Sequence, residues 1–589
     1  MQQSIQYRSY CDTVWFYKSY ENIEMDAPTD LSYLHTSIIN HYNYTTVTKV
    51  ARENARLRPN QEIFIFRELD GSRSSLTNAS LYQQAEQLAK YLLTQGIRKG
   101  DIVALAGPNT LEMVIGTLGI LAAGAVVWNV VINMKTALDV KALFQQTRAK
   151  CILVDCGKDG GFLLPFKTML ENCSAGDAYN IQVISLREAD SHQIKAVDTL
   201  QNIQTRQLKE VDLPDIYPED NAIIFTTSGS TGKPKMVLHS HFDFASNPFS
   251  FTPPTVDYDV ILFNERPFAW IGGTPVLGIL RSQSRVFMDS TVAINSKNAD
   301  FVWRTLKEER CTDALLLPFV IHDLLELPKS VTEDGFKLQH INTGGQMIND
   351  NYTGVIGQFC HKMMITYAST EATCIASKGP FDDEEPLQAG DVGKPSTGME
   401  IRVVDLQGLP INKGSIGKIQ IRSQQIMRSY VGSPQLTKEA FTEDRWFRTG
   451  DIGKVSPDGN LILLGREIDV ISRGTRKIYP GMLEFLLKQM KMIKEVCVVP
   501  VPDERLYEEV CVCFVSSGEL TPDDVQQYCK QNLFKENTID SLGEMPTYFL
   551  KFEAFPKLGA GKTDKKAIRL DASIKLGLTE HSVDNSQIN

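Results

Sequence analysis

The 589-residue sequence is too long for one hydrophobic core, so we expect one large divided domain and at least one smaller domain. Hydrophobic residues make up 42% of the chain and charged residues 22%, a composition typical of globular proteins. The formal net charge of −10 argues against nucleic acid as the main partner, because phosphate neutralisation requires a basic surface.

The cysteines and the N-terminus bear on the compartment. The eleven cysteines include no pair at zinc-site spacing, which indicates reduced thiols in a cytosol-like compartment. Residues 1–43 lack the apolar run of a signal peptide and hold few arginines, so we expect a cytoplasmic protein, with a mitochondrial presequence as the alternative. The apolar stretch 111–131 is interrupted by glycines. It predicts a buried helix ending near Gly124 and then a buried strand, with no transmembrane segment.

Helical and strand patterns alternate along residues 45–215. Alternation at this spacing predicts a layered α/β fold with parallel strands. The expected helices span residues 46–58, 80–95 and 112–123, and the expected strands span residues 62–66, 102–106 and 125–131.

A loop of small, hydroxyl-bearing and basic residues separates two β-like runs, residues 223–225 and 236–238. Its glycines let backbone N–H groups approach an anion, while its hydroxyls add donors and its lysines add positive charge. A P-loop would need glycine at position 227 and serine or threonine at position 234, which are Thr and Pro, so that alternative fails. A flexible polar linker is the other alternative. The candidate phosphate-binding residues are Thr227, Ser228, Gly229, Ser230, Thr231, Gly232, Lys233 and Lys235.

Two later stretches also suit a nucleotide. A strand-like run leads into Gly344 and Gly345, followed by Gln346, where the backbone can come close to a flat ligand. Residues 365–371 then combine an aromatic ring, hydroxyls and a carboxylate. The alternative for this second stretch is a strand followed by a helix with Ser369 or Thr370 as its N-cap, and helix starts can themselves bind phosphates.

Beyond residue 390 the pattern changes to short strands with Gly-Pro turns, as in a small barrel. Residues from Tyr479 onward predict an α+β module, with helices at 483–490 and 522–531 and strands at 495–501, 510–516 and 548–552. Near its end, Gly561-Lys562-Thr563 imitates the end of a Walker motif, but the upstream glycine is replaced by Pro556. A solvated basic tail is the alternative there.

Taken in order, these stretches resemble the adenylate-forming (AMP-binding) superfamily, most closely its acyl-CoA synthetases. Residues 227–235 fit the phosphate-binding signature of that family without a gap, and the resemblance extends over about residues 46–569. It implies an α/β fold: a large N-terminal domain of layered α/β subdomains with a small β-barrel-like part, and a small mobile α+β C-terminal domain. The implied boundaries are an N-terminal extension (1–45), a large AMP-binding domain (46–467) and a small domain with a short tail (468–589).

The resemblance also implies roles for individual residues in adenylation. The loop 227–235 is expected to hold the β- and γ-phosphates of ATP, and Thr227 with Glu371 to hold Mg²⁺. Thr370 is expected to bind the α-phosphate, and Lys562 to act as the catalytic lysine between this phosphate and the acid.

The nucleoside and the other substrates have implied positions as well. Gly344, Gly345 and Gln346 are expected to line the nucleotide, with Tyr367 stacked on adenine, Asp451 on the ribose hydroxyls and Arg466 on ribose and phosphate. Trp270 and Gly344 are expected to line the acid pocket, although a core tryptophan is an equal alternative. Ser472, Arg473 and Gly474 are expected to meet the pantetheine arm of CoA.

The implied activity is ATP-dependent conversion of a carboxylic acid, expected to be a fatty or other apolar acid, to an acyl-adenylate and pyrophosphate, then to acyl-CoA and AMP. One alternative is an enzyme that passes the adenylate to a carrier protein or to luciferase-like oxidation. Another is a non-catalytic nucleotide-binding relative. The sequence leaves open the acid, the oligomeric state and whether Ile468 or Asp469 serves as the hinge.

Overall fold

The computed structural model describes residues 30–36, 43–130, 137–155, 181–187, 197–227, 235–246, 259–332, 335–346, 354–382, 388, 390–474, 476–533, 545–557 and 563–578. Strands are numbered below in chain order. Of the predicted site residues, Lys562 and residues 228–234 of the glycine-rich loop lie outside the described residues.

One sheet carries the strands that flank the glycine-rich loop. Its inner strands are parallel, and β9 and β10 form an antiparallel pair at one side. Its strand order is β20 (Ser429–Tyr430), β10 (Lys235–Ser240), β9 (Asn221–Thr227), β5 (Val126–Asn129), β4 (Ile102–Ala106), β6 (Cys151–Val154), β7 (Gln182–Ser185) and β8 (Asp198–Thr199).

A second sheet carries the double glycine and the stretch that contains Glu371. Strands β2 and β11 to β15 are parallel in it, and β3, β16 and β17 add antiparallel edges. Its order is β17 (Lys394–Pro395), β16 (Thr373–Phe381), β15 (Cys360–Ser369), β14 (Leu338–Gly344), β13 (Asp313–Leu316), β11 (Ile261–Asn264), β12 (Ser284–Phe287), β2 (Glu62–Arg67) and β3 (Arg73–Thr77).

Two further sheets follow towards the C-terminus. The third is antiparallel throughout. Its order is β1 (Tyr33–His35), β18 (Glu400–Val404), β19 (Gly417–Arg422), β21 (Phe447–Val455) and β22 (Leu461–Arg466). The fourth has the order β24 (Arg476–Ile478), β23 (Ile471–Arg473), β26 (Tyr507–Ser516) and β25 (Ile493–Asp503), and β27 (Tyr548–Lys551) pairs with β26.

Helices pack against the faces of these sheets. Thr46, Thr77 and Thr110 each cap a helix by accepting a backbone N–H from the third residue after them. Within the described residues the α-helices are Val47–Leu57, Asn78–Thr94, Leu111–Ala122, Ala137–Thr147, Leu200–Thr205, His241–Ala245, Pro275–Arg281, Ser290–Ala293, Ala299–Glu308, Pro318–Leu325, Lys329–Thr332, Pro434–Ala440, Pro480–Lys488, Pro522–Leu533 and Lys565–Lys575. Short 3₁₀ turns span Ser296–Asn298 and Glu467–Asp469.

Burial on both faces of the sheet explains why the inner strands are continuous apolar runs in the sequence. Every residue of β5 is buried, because helices cover both faces of a largely parallel sheet. Trp128 of this strand packs edge-to-face on Phe144, with ring centroids 4.8 Å apart. Its indole N–H donates to the Thr226 hydroxyl over 3.0 Å. This bond ties the end of β9 to the core immediately before the glycine-rich loop.

The α/β layering expected from the sequence is confirmed, with one local error. The alternative of a helix after Ser369 or Thr370 is wrong, because β15 turns back within a few residues into the antiparallel strand β16. Thr373 has a φ of 50°, which closes this turn. The predicted helix at residues 112–123 and the strand after it are confirmed. Across the part of the chain that the structure describes, we find no helix long and apolar enough to cross a membrane.

Candidate functional site

The candidate site lies where parallel strands of the second sheet end. Strands β11, β13, β14 and β15 run in one direction, so their carboxyl ends meet at one edge. Ligands of open α/β sheets bind in the crevice at this edge. The predicted residues Gly344 and Tyr367 lie at the ends of β14 and β15.

Gly344 occupies a position that only glycine fits. A Cβ atom added there would lie 2.1 Å from the carbonyl oxygen of Thr366 on the neighbouring strand. Gly345 has a φ of +91° with open space beside it, so this backbone can face a ligand without a side chain in the way. Gln346 follows at the exposed end of the same turn.

Tyr367, Asp451 and Arg466 form one contact cluster. The Tyr367 hydroxyl donates to Oδ2 of Asp451, and Nη1 of Arg466 lies 3.1 Å from Oδ1 of the same carboxylate. Arg466 also donates to the backbone carbonyl of Thr449 over 2.9 Å. The register of β21 and β22 produces the pairing, because Asp451 stands opposite Arg466. The structure thus brings together three residues that are far apart in the sequence.

Burial dominates the electrostatics of this cluster. It raises the pKa of the Asp451 carboxyl above its usual range, against the opposing effect of Arg466. Burial, together with the charge of Asp451, also raises the pKa of Tyr367 well above that of an ordinary tyrosine, so the phenol remains a donor. Burial by itself would lower the pKa of Arg466, but the negative charge of Asp451 together with smaller contributions from Tyr367, Glu371 and Asp469 outweighs it, and the pKa is raised.

Glu371 is held by a residue that carried no sequence signal. The Tyr430 hydroxyl donates to Oε1 of Glu371 over 2.9 Å, and the backbone N–H of Met427 donates to the Glu371 carbonyl over 2.7 Å. Burial and the charge of Glu371 raise the pKa of Tyr430. The ammonium of Lys235 lies 5.1 Å from the centroid of the Tyr430 ring, which is cation–π distance.

These contacts link the base of the glycine-rich loop to Glu371. Thr227 ends β9 and stands opposite Lys235, which begins β10. The Thr227 hydroxyl donates to the Lys235 carbonyl over 3.4 Å. Because β20 pairs with β10, the ring of Tyr430 lies between Lys235 and Glu371. The arrangement joins the two residues expected to bind metal through a short chain of contacts.

Thr370 is positioned through its backbone. The Nε2 atom of the fully buried His239 lies 2.7 Å from the Thr370 carbonyl, which can only accept, so Nε2 carries the proton. The Nδ1 atom of the same ring lies 3.3 Å from Oδ2 of Asp243. His239 lies next to the last residue of β10, and His241 begins the helix His241–Ala245.

Comparison with known proteins shows to which family the chain belongs. Residues 51–431 match the family of AMP-binding enzymes. The chain belongs to the AMP-binding enzyme family. A medium-chain acyl-CoA ligase of Danio rerio, named as mitochondrial, is 27% identical over 94% of this chain and 94% of its own length. An oxalate–CoA ligase of Arabidopsis thaliana is 28% identical over 84% of this chain and 93% of its own length.

Solved structures agree on the fold. The crystal structure of an anthranilate CoA ligase in complex with anthranoyl-AMP covers 91% of this chain and 99% of its own, with a TM-score of 0.76 and 18% identity. This likeness confirms the expected adenylate-forming fold.

In this AMP-binding enzyme the turn Glu467–Asp469 separates contacts to the two sides of the predicted domain boundary. Glu467 pairs with Lys418 of β19 at 2.5 Å. Asp469 pairs at 3.2 Å with Lys565, which begins the last helix and also lies 3.2 Å from Glu484. Ile468 between them is 64% exposed. The boundary at residues 467/468 stays a prediction, and so does the choice between Ile468 and Asp469 as the hinge residue.

The residues expected to meet CoA lie within the fourth sheet. The Ser472 N–H donates to Glu508 over 2.7 Å, and Arg473 pairs with Glu509 at 2.9 Å. Gly474 follows β23 with a φ of +61°. Ser472 and Arg473 thus belong to the fourth sheet, whereas Asp451 belongs to the third and Glu371 lies between two strands of the second.

Three further residues belong to the description of the site: Trp270, which the sequence predicted, and Tyr430 and Arg266, which it did not. Trp270 lies in the turn after β11 with its ring partly buried against the core, so the alternatives of pocket and core stay open. Tyr430 was missed because strand pairing alone brings it to Glu371. Arg266, which donates to the Gly344 carbonyl over 3.3 Å, had a signal: a charged pair, Glu265-Arg266, directly after a buried apolar strand.

Proposed function

We propose that this enzyme is an AMP-forming acid–thiol ligase, which converts a carboxylic acid and ATP to an acyl-adenylate and then transfers the acyl group to CoA. The cluster of Tyr367, Asp451 and Arg466 beside Glu371 is the observation that carries the proposal. The acyl-CoA ligase names of relatives that align along nearly the whole chain support it.

In the first step a carboxylate oxygen attacks the α-phosphorus of ATP. A new P–O bond forms, the bond to the β-phosphate breaks, and pyrophosphate leaves with the electron pair. Both reactants are anions, so fixed positive charge and donors have to offset their repulsion. We propose that Lys562, with Thr370 beside it, offsets this repulsion at the α-phosphate. The loop 227–235 does the same at the β- and γ-phosphates.

The nucleoside end is assigned to the Asp451 cluster. Each oxygen of a carboxylate has two lone pairs, so Asp451 can accept ribose hydroxyls while it keeps its bonds to Tyr367 and Arg466. Gly344, Gly345 and Gln346 would line the base, because the glycine backbone leaves room beside it. Preorganised contacts of this kind hold the α-phosphorus in line with the attacking oxygen.

The residues present fit a magnesium ion bound together with ATP. Among the residues that the structure describes, no group of three or more His, Cys, Asp or Glu side chains gathers around a common point. Phosphate oxygens and waters would therefore have to complete the coordination of a Mg²⁺ held by Glu371 and Thr227, as this ion prefers. Tyr430 occupies Oε1 of Glu371 and leaves the second carboxylate oxygen as a ligand. When bound, Mg²⁺ neutralises phosphate charge.

The second step needs a thiol. The thiolate of CoA attacks the acyl carbonyl, the C–S bond forms, and AMP leaves as the mixed anhydride breaks. Because Ser472, Arg473 and Gly474 are held in the fourth sheet, we propose that the small domain turns about the Glu467–Asp469 segment to bring them to the adenylate.

An enzyme that delivers the adenylate to a carrier protein or to oxidation is the second candidate. The test incubates the purified chain with ATP, Mg²⁺ and a panel of carboxylic acids and measures pyrophosphate release, with and without CoA. We expect pyrophosphate with some acids and AMP release that accelerates when CoA is present. Pyrophosphate without any effect of CoA on AMP would favour the second candidate, and no pyrophosphate with any acid would contradict adenylation.

We also propose the cytoplasm as the compartment. The cysteines that the structure describes are buried and unpaired, which suits a reducing environment. The mitochondrial name of the Danio rerio relative supports the other location. Imaging of the full chain with a C-terminal tag distinguishes the two compartments.

A further inference from the structure

Arg266 reaches into the candidate site from the end of β11. Its guanidinium passes the end of β13 and donates through Nη2 to the carbonyl of Gly344, the last residue of β14. Its backbone is fixed on both sides, since its N–H donates to Asn264 and its carbonyl accepts from Asn109. The charged group is therefore anchored at the carboxyl ends of the parallel strands, the edge at which ligands bind.

This guanidinium is buried without enough acceptors. Arg266 is 9% exposed, its bond to Gly344 spans 3.3 Å, and its Nε has no hydrogen-bond partner. A guanidinium has five N–H donors, and burying a charge without partners is costly. The charge of the neighbouring Glu265 acts on the guanidinium, but the hydrogen bond that its Oε1 accepts comes from the backbone N–H of Leu317.

A second buried arginine shows how this fold satisfies such a group. Arg285 on β12 donates to the carbonyl oxygens of Gly273, Thr274 and Asn264 over 2.6 to 3.3 Å. Nε of Arg285 also lacks a partner, but three carbonyl oxygens accept from its two Nη atoms, whereas among the described residues Arg266 has the single carbonyl of Gly344. The difference between these two arginines indicates that Arg266 is kept for an acceptor that arrives with a ligand.

Gly272 lies next to the guanidinium of Arg266. A Cβ atom added to Gly272 would lie 3.1 Å from Nη1 of Arg266, so any larger residue at this position would crowd the charged group. Gly272 belongs to the same turn as Trp270, the residue expected in the acid pocket. Gly344, on the other side, is expected to line both nucleotide and acid. Arg266 thus lies between the two segments assigned to the acid.

We propose that Arg266 binds a second anionic group on the acid, so that the substrate is a dicarboxylic acid rather than a simple fatty acid. The inference rests on the proposed function and narrows its substrate class. A planar guanidinium matches a carboxylate with two parallel bonds, which fixes orientation as well as adding affinity. An apolar tail in the same place would leave the charge buried against methylene groups.

The test compares matched substrates on the unmodified enzyme. Straight-chain α,ω-dicarboxylic acids of two to ten carbons are each paired with their monomethyl ester, which keeps the length and removes one charge. Pyrophosphate release gives kcat/KM for both. We expect the best diacid to exceed its ester by about 100-fold, because a buried polar group left unpaired strongly rejects the analogue.

The variant Arg266→Met keeps the length of the side chain and removes its charge. Its diacid-to-ester ratio should fall to about one, while Arg266→Lys should retain part of the preference. Arg285→Met is the matched control, since it also removes a buried arginine and should leave the ratio unchanged. A ratio measured on one preparation does not depend on how much of the variant is folded.

Each result has a distinct meaning. If diacids and esters, or monocarboxylic acids, react equally well in the unmodified enzyme, this inference fails while adenylation stands. If Arg266→Met slows every acid by the same factor, the guanidinium serves the reacting carboxylate and the inference also fails. If no acid in the panel or among monocarboxylic acids releases pyrophosphate, the proposed function itself is contradicted.

Discussion

The hydroxyl of Tyr430 donates a hydrogen bond of 2.9 Å to Oε1 of Glu371, and the two residues come from different sheets. Tyr430 belongs to β20, which pairs with β10 beside the glycine-rich loop, while Glu371 follows β15. The bond therefore fixes one carboxylate oxygen relative to the base of the loop. Residues that orient a metal ligand in this way tune its affinity for the ion.

Tyr430→Phe should weaken metal binding without unfolding the site. The ring stays and the hydroxyl is lost, so the Glu371 carboxylate is free to rotate. We expect the affinity for Mn²⁺ in the presence of ATP, measured by electron paramagnetic resonance, to fall by about 10-fold. ATP binding without metal should remain near that of the unmodified enzyme.

Tyr33→Phe is a matched control for this prediction. Tyr33 donates to Oε2 of Glu400 over 2.7 Å, so the substitution breaks the same kind of bond on the third sheet. Its Mn²⁺ affinity should not change. An equal loss in both variants would indicate a general effect on stability and would contradict the role of Tyr430.

Asp451→Ala should weaken ATP binding, because the ribose hydroxyls lose their acceptor. We expect a loss of about 1–3 kcal/mol, measured as the change in ATP dissociation constant by calorimetry on folded variant. An unchanged constant would remove Asp451 from the nucleotide site.

The contact of Asp451 with Tyr367 calls for a separate control. Asp451→Ala also removes the acceptor of the Tyr367 hydroxyl. Tyr367→Phe breaks this bond and keeps the carboxylate. If Tyr367→Phe lowers ATP affinity as much as Asp451→Ala does, the effect comes from the position of the ring rather than from ribose binding.

The sequence predicted site residues at the ends of strands better than it predicted contacts that arise when two distant strands pair. Gly344 was predicted because a strand-like run leads into it, and Tyr367 because residues 365–371 resemble a family element; both lie near the carboxyl ends of parallel strands, which meet at one edge. Tyr430 reaches Glu371 only because β20 adds to β10, and no short-range pattern encodes that pairing. The alternative of a helix after Ser369 or Thr370 failed for a related reason, since pairing of β15 with β16 overrides local helix-start signals.

Arg266 is a site residue that the sequence alone could not identify. Its charge beside Glu265 was visible, but a charged pair after a strand is usually solvated. Only the structure shows that Arg266 is buried with one carbonyl acceptor among the described residues, while Arg285 has three. Burial and acceptor number are properties of the folded chain, so composition and spacing could not supply them.

Gly474→Leu should separate the two half-reactions. A side chain at this position would enter the predicted path of the pantetheine arm, so thioester formation should fall while pyrophosphate release continues. We expect a loss of about 10-fold or more in acyl-CoA formation from synthetic acyl-adenylate, equivalent to about 1.4 kcal/mol. Equal losses in both half-reactions would point to a folding or hinge defect.

Gly518→Leu controls for backbone strain. Gly474 and Gly518 have positive φ angles of +61° and +84°, and both belong to the C-terminal module. A side chain at position 518 should cost similar stability and leave both half-reactions intact. Thioester formation impaired equally in the two variants would contradict a CoA path at Gly474.

Lys562→Ala tests the central residue of the proposed mechanism. The lysine is flanked by Gly561 and Thr563, and its charge is needed only while the α-phosphate gains negative charge. Pyrophosphate release should therefore slow by roughly 100-fold or more, equivalent to about 3 kcal/mol of lost transition-state stabilisation. The same variant, given synthetic acyl-adenylate and CoA, should form thioester at nearly the unmodified rate, because Lys562 has no role in that step.

Lys557→Ala provides the control for this last prediction. Lys557 lies five positions earlier, is exposed and pairs with Glu495, so its substitution removes one positive charge from the same segment. Pyrophosphate release should be unaffected, since exposed ion pairs contribute little. If Lys562→Ala adenylates as fast as Lys557→Ala while remaining folded, Lys562 is a surface lysine and some other cation must meet the α-phosphate.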